Sequence, residues 1–96
     1  MREPSRVTVE FFGLPRQRAG RQSLEVFADT VAQALTAVER DCPRLAGLID
    51  PSGLLSPLYL LALDGERFVQ STEKKLRSGD RLLLLSADAG GYQVAE

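Results

Sequence analysis

Residues 76–86, LRSGDRLLLLS, decide how the rest of this 96-residue chain is read. Ser78-Gly79-Asp80 is a glycine-centred turn, and behind it Leu82, Leu83, Leu84 and Leu85 stand in an unbroken row. An apolar run this short, bounded by a turn, predicts a strand. Side chains alternate across a strand, so the four leucines divide between the two faces of a sheet. One helix can cover only one of those faces. The other pair of leucines, joined by Phe12 and by members of LYLLAL (58–63), then forms either an exposed surface or a surface covered by the connection over residues 43–57. Contiguous apolar patches are uncommon on monomers, which favours a partner-binding surface; Phe12, Leu83 and Leu85 are its candidate residues, and the period alone does not fix which pair of leucines faces outward.

Upstream of the leucine row, LYLLAL is followed by Asp64-Gly65 and ERFV (66–69). Asp-Gly favours a turn with two positive φ values, so this stretch predicts a hairpin. At the other end of the chain Val7, Val9 and Phe11 alternate with Thr8, Glu10 and Phe12, the period of a strand over residues 6–12 closed by Gly13. GLPRQRAGR (13–21) carries three arginines and reads as a solvated turn before a second strand over 22–27. Between the two strand groups Val31, Ala34, Leu35, Val38 and Cys42 fall on one helical stripe. Thr30 with Gln33 three residues on marks the helix start, and Pro43 marks its end. PRLAGLI (43–49) predicts a short helical turn, and Asp50-Pro51-Ser52-Gly53 a reverse turn. The expected order is strand, strand, helix, strand, strand, strand. That order is α+β, a mixed sheet with one main helix on one face.

Composition removes several functions. No apolar stretch approaches the roughly 20 residues of a membrane span, and residues 1–12 do not have the pattern of a signal peptide, which leaves a cytoplasmic expectation. Twelve basic and thirteen acidic side chains give a net charge of -1, too balanced to hold nucleic acid by overall field. With no histidine and one cysteine, the chain lacks Ser-His and Cys-His pairs, a disulfide and a histidine-cysteine metal set. Chemistry in which it takes part is therefore expected to be supplied by other proteins. Cys42 predicts a buried apolar side chain at a helix end. Arg16, Arg18 and Arg21, and Lys74, Lys75, Arg77 and Arg81, read as solvated loop charge in preference to a surface for an acidic partner.

VTVEFFGLPRQRAGRQ (7–22), LRSGDRLLLLS (76–86) and Gly90-Gly91 after a short spacer together resemble the small sulfur carriers of the MoaD and ThiS type, members of the ubiquitin-like β-grasp fold. The resemblance spans residues 6–91. It implies a five-stranded mixed sheet with the first and last strands parallel at its centre. It divides the chain into a β-grasp domain over 1–91, with an arm at 87–91, and an extension over 92–96. It further implies that the Gly91 carboxylate is adenylated by an ATP-dependent enzyme of the ubiquitin-activating type and converted to a thiocarboxylate, with Gly90 as its small neighbour. The implied acceptor is an enzyme such as the large subunit of molybdopterin synthase, the favoured case, or a thiazole synthase. Two features depart from the family. Ser86-Ala87-Asp88-Ala89 stands where members often carry proline, and Tyr92-Gln93-Val94-Ala95-Glu96 follows Gly91 and holds its carbonyl in a peptide bond. A tail-processing protease is therefore implied as a further partner. The alternatives are a ubiquitin-like interaction module that keeps its tail, or a modifier joined to protein lysines.

Overall fold

The structure is a computed structural model, which describes residues 3–65 and 67–87. Its elements are β1 (Arg6–Phe11), α1 (Leu14–Ala19), β2 (Ser23–Phe27), α2 (Val31–Asp41), a 3-10 turn (Pro43–Leu45), β3 (Tyr59–Leu63), β4 (Arg67–Phe68) and β5 (Arg81–Ser86). The strands form one sheet in the order β2-β1-β5-β3-β4. β1 and β5 run parallel at its centre, Val9 opposite Leu82 and Phe11 opposite Leu84, and every other pairing is antiparallel. The α+β, ubiquitin-like β-grasp expectation therefore holds.

The core lies between the sheet and α2. Val7, Val9 and Phe11 of β1, Leu82 and Leu84 of β5, and Leu61 of β3 meet Val31, Leu35 and Val38 of the helix, all of them buried. Leu45 and Leu48 join them from the connection after α2. That connection is held from the helix, because the Glu39 carboxylate accepts from the N–H groups of Gly47 at 2.9 Å and Leu48 at 2.7 Å. Residues 43–57 thus send leucines into the helix-side core, while Phe12, Leu58 and Phe68 stay exposed. The idea that the connection completes a private core by covering the second face is excluded for these residues.

Caps and turns follow the residue chemistry. Thr30 Oγ1 accepts from the Gln33 N–H at 3.2 Å, and the Gln33 side chain accepts from the Asp29 N–H at 2.7 Å, so the reciprocal bond of the helix start reaches one residue further back than expected. Asp64 and Gly65 both have positive φ, 55° and 73°, which is the backbone that Asp-Gly tolerates best. Around Asp50 the side chain accepts from the Ser52 hydroxyl and from the N–H groups of Ser52 and Leu54. The Ser52 hydroxyl is the main cause that lowers the Asp50 pKa below the ordinary carboxylate value; desolvation opposes it, and the backbone N–H groups add to the lowering.

The expectation for the stretch after β1 fails. Residues 14–19 are not a solvated turn but the helix α1. Its makers are not an apolar stripe. Pro15 lies in the first turn, where a missing N–H costs nothing, and its ring is buried. Gly20 closes the helix with φ 73°, donating its N–H to the Arg16 carbonyl at 3.0 Å, and Arg16 and Arg18 lie in the last turn, where the helix dipole favours cations.

Cys42, 3% exposed, caps the end of α2. Burial pushes its thiol pKa up, partly offset by Arg21 and reinforced by Asp41. Both causes that raise it keep the thiol protonated near neutral pH, and burial keeps it out of reach. Iodoacetamide is expected to label native protein at least about tenfold more slowly than protein in denaturant; equal rates would contradict the burial.

Candidate functional site

The chain leaves the sheet at the end of β5, and the local structure fixes the point of departure. Ser86 pairs with Tyr59, the Ala87 N–H donates to the Leu58 carbonyl at 2.9 Å, and the Phe12 N–H donates to the Leu84 carbonyl at 3.0 Å. β5 is therefore held on both sides up to its last residues. α1 contributes here as well, since Arg18 Nη1 donates to the Tyr59 hydroxyl at 3.0 Å, and Tyr59 is 5% exposed. Gly90 and Gly91 lie outside the described residues, as do 92–96.

The leucine row divides as its period requires. Leu82 and Leu84 point into the core and are fully buried, whereas Leu83 and Leu85 face away from α2 and are half-buried. The neighbours on the outer face follow from register. Leu85 lies opposite Leu60, Leu83 opposite Ala62 on one side and Glu10 on the other, and Ala62 opposite Phe68. Cross-strand partners share a face, so Leu60, Ala62, Leu83, Leu85 and Phe68 form one apolar surface. Phe12, 55% exposed, flanks it beyond the end of β1, and Leu58, 68% exposed, flanks it where Ala87 is anchored. At its β4 edge the surface opens into a cleft of about 420 Å³ lined by Leu54, Pro57, Leu60 and Phe68 among others.

Of the sequence-chosen surface residues, Phe12, Leu83 and Leu85 thus do lie on the outer side of the sheet. Leu83 and Leu85 form its half-buried floor, with the more exposed Phe12, Leu58 and Phe68 around them; Phe27 of β2, opposite Arg6 on the same side of the sheet, is exposed as well. Phe68 was missed because the two-residue strand β4 offers no periodicity. The signal that could have found it is the Asp-Gly turn, whose register sets Phe68 opposite Ala62. Among the arginines of the first loop, Arg18 is not free solvated charge but bonded to Tyr59, while Arg16 and Arg21 are exposed.

Among the described residues, no helix is long and apolar enough to cross a membrane. No protein-family model matches the sequence, and no curated protein matches it. Solved structures do. The small archaeal modifier protein 1 of Methanosarcina acetivorans superposes with a TM-score of 0.74 at 20% identity, over 88% of this chain and 95% of that one. A putative molybdopterin converting factor, subunit 1, of Pyrococcus furiosus gives 0.67 at 20% identity, over 85% and 97%. A chain of the Amycolatopsis orientalis BexX/CysO complex gives 0.72 at 21% identity, over 83% and 93%. At such identities the likeness speaks for the fold, and it does so across nearly the whole of each chain. The protein thus has the ubiquitin-like β-grasp fold of these small modifier and converting-factor chains, which is the fold that the resemblance to MoaD and ThiS implied.

Proposed function

We propose that this protein is a sulfur carrier whose reactive group is the Gly91 carboxylate, generated by removal of residues 92–96. The observation that carries the reading is the placement of β5. The last strand is the central one, parallel to β1 and anchored as far as Ala87, so the residues that precede Gly90-Gly91 in sequence are fixed at the middle of the sheet beside an exposed apolar face. A partner docked on Phe12, Leu58 and Phe68 is positioned to receive the segment bearing Gly90-Gly91. Two glycines without Cβ suit a narrow channel leading to a nucleotide.

In the proposed sequence a Gly91 carboxylate oxygen attacks the α-phosphorus of ATP on the activating partner, and pyrophosphate leaves. Hydrosulfide supplied by a partner then attacks the acyl carbon, the bond from that carbon to the phosphate oxygen breaks, AMP leaves, and a thiocarboxylate remains. A synthase of the molybdopterin type is the favoured acceptor, consistent with the likeness to the P. furiosus converting-factor chain. The likeness to a small archaeal modifier supports a second reading, in which the same adenylate is passed to a protein lysine. The two share their first step and differ in the acceptor. ATP and the acid-base groups belong to the partners in both.

Mass spectrometry of the protein isolated from its native host tests the proposal. A chain ending at Gly91, heavier than the free acid by the replacement of one oxygen by sulfur, is the expected species. Gly91 found in isopeptide linkage to lysine would favour the modifier reading, and a population carrying residues 92–96 throughout would overturn both.

A further inference from the structure

At the end of the sheet away from Ser86, Arg67 of β4 and Lys74, Lys75 and Arg77 of the segment leading into β5 line one cleft of about 240 Å³ together with Asp64 and Asp80. All four cations are exposed, and none of them takes part in an ion pair among the described residues. The two carboxylates are engaged with backbone N–H groups. Asp64 Oδ1 accepts from the Arg81 N–H at 3.0 Å, and Asp80 Oδ2 accepts from the Arg77 N–H at 2.8 Å. The backbone that carries three of the cations is pinned to the start of α2. Val31 donates its N–H to the Lys74 carbonyl at 3.0 Å, Leu76 donates to the Asp29 carbonyl at 2.8 Å, Thr30 and Lys75 form a β-bridge, and the Leu76 side chain is buried.

These observations differ from what a loop of scattered surface charge shows. Four like charges held around one concavity repel one another, and the walls of a cleft concentrate their field. The chain as a whole carries a net charge of only -1, so this positive field is local. We propose that the cleft is a docking site for a short acidic segment of a protein partner. Guanidinium groups at Arg67 and Arg77 can each grip a carboxylate with two parallel hydrogen bonds, while the two lysines act as point charges. A peptide can set its carboxylates only where the cations are. A nucleic-acid backbone carries phosphates at every step and would also meet Asp64, Asp80 and the exposed Glu73. The cleft lies at the Arg81 end of β5 and the arm leaves at the Ser86 end, about 17 Å away at the rise of a six-residue strand. A partner can therefore hold the cleft while the arm is engaged elsewhere.

The test is a titration of the isotope-labelled full chain with a hexaglutamate peptide, followed by amide resonances. Saturable shifts confined to the turns and strand ends around residues 64, 67 and 74–81 are expected, with affinity falling at least about tenfold between low and moderately high salt. The double variant Lys74→Glu, Arg77→Glu should weaken binding by at least about tenfold while the remaining resonances keep their positions. Arg67→Glu, on a separate strand, should do the same if the double variant perturbs the fold, and Arg44→Glu, outside the cleft, should bind normally. Shifts that never saturate, or that spread over the surface, would overturn the proposal. So would inorganic pyrophosphate or an oligothymidylate moving the same amides at lower concentration than the peptide.

Discussion

A chain ended at Gly91 is expected to support ATP–pyrophosphate exchange by its activating enzyme, whereas the 96-residue form is expected to support at least about 100-fold less. The size follows from chemistry and from reach. Adenylation needs a free carboxylate oxygen as nucleophile, and in the 96-residue sequence the Gly91 carbonyl is part of an amide. The carboxylate at Glu96 is no substitute, because Ala95 and Glu96 would have to occupy the positions that Gly90 and Gly91 fit, and a misplacement of about 1 Å at a reacting centre can cost 100-fold. A Gly90→Val change in the 91-residue form should lose most of the exchange without altering the fold, since it lies beyond the last strand. Equal exchange by the 91- and 96-residue forms would remove the need for trimming and with it the proposed role of Gly91.

Neighbouring leucines of β5 should respond in opposite ways to the same substitution. Leu84→Asp is expected to unfold the protein. Leu84 has no exposed surface, it lies opposite Phe11 on one side and Leu61 on the other, and both of those are buried. The change forfeits about 1.5–3 kcal/mol of side-chain burial and adds several kcal/mol for an unpaired carboxylate in the core. Domains of this size have about 5–15 kcal/mol in total. Leu83→Asp changes the half-buried outer face, so a cooperative thermal transition should remain while docking of the activating partner is lost. Circular dichroism melts and a binding measurement on both variants separate the outcomes. A folded Leu84→Asp, or an unfolded Leu83→Asp, would mean that the assignment of faces is wrong.

That assignment could not be read from the sequence, because a strand with apolar side chains on both faces has no polar set to mark the outside. Other features were legible because local chemistry overdetermines them. Val31 to Asp41 shows a stripe, a Thr30 cap and a proline stop, and the turns at Asp64-Gly65 and Gly79 need backbone that few other residues adopt. α1 was illegible for the converse reason. Six residues give less than two turns, too few to show a period, and the three arginines suggested solvent. Only Pro15 near its start and Gly20 after its end signalled a helix. The cationic cleft was hidden because Arg67 and the 74–77 stretch converge only once β4 has paired with β3. Gly90 and Gly91, by contrast, were chosen from sequence alone, through the resemblance.

β5 also sets the order in which this sheet can come into being. β3 pairs with β4 through the tight Asp64-Gly65 hairpin, and β1 with β2 through a longer hairpin that contains α1, but the two hairpins have no strand contact with each other except through β5 between them. During synthesis both hairpins can form early, yet each still lacks its central neighbour until residues 81–86 have been added. Long-range pairing of this kind delays the productive step of folding and leaves unpaired edges exposed in the meantime. An incomplete chain therefore holds two separate ribbons, and only one that has extended past Ser86 can present both a finished sheet and the arm that departs from it.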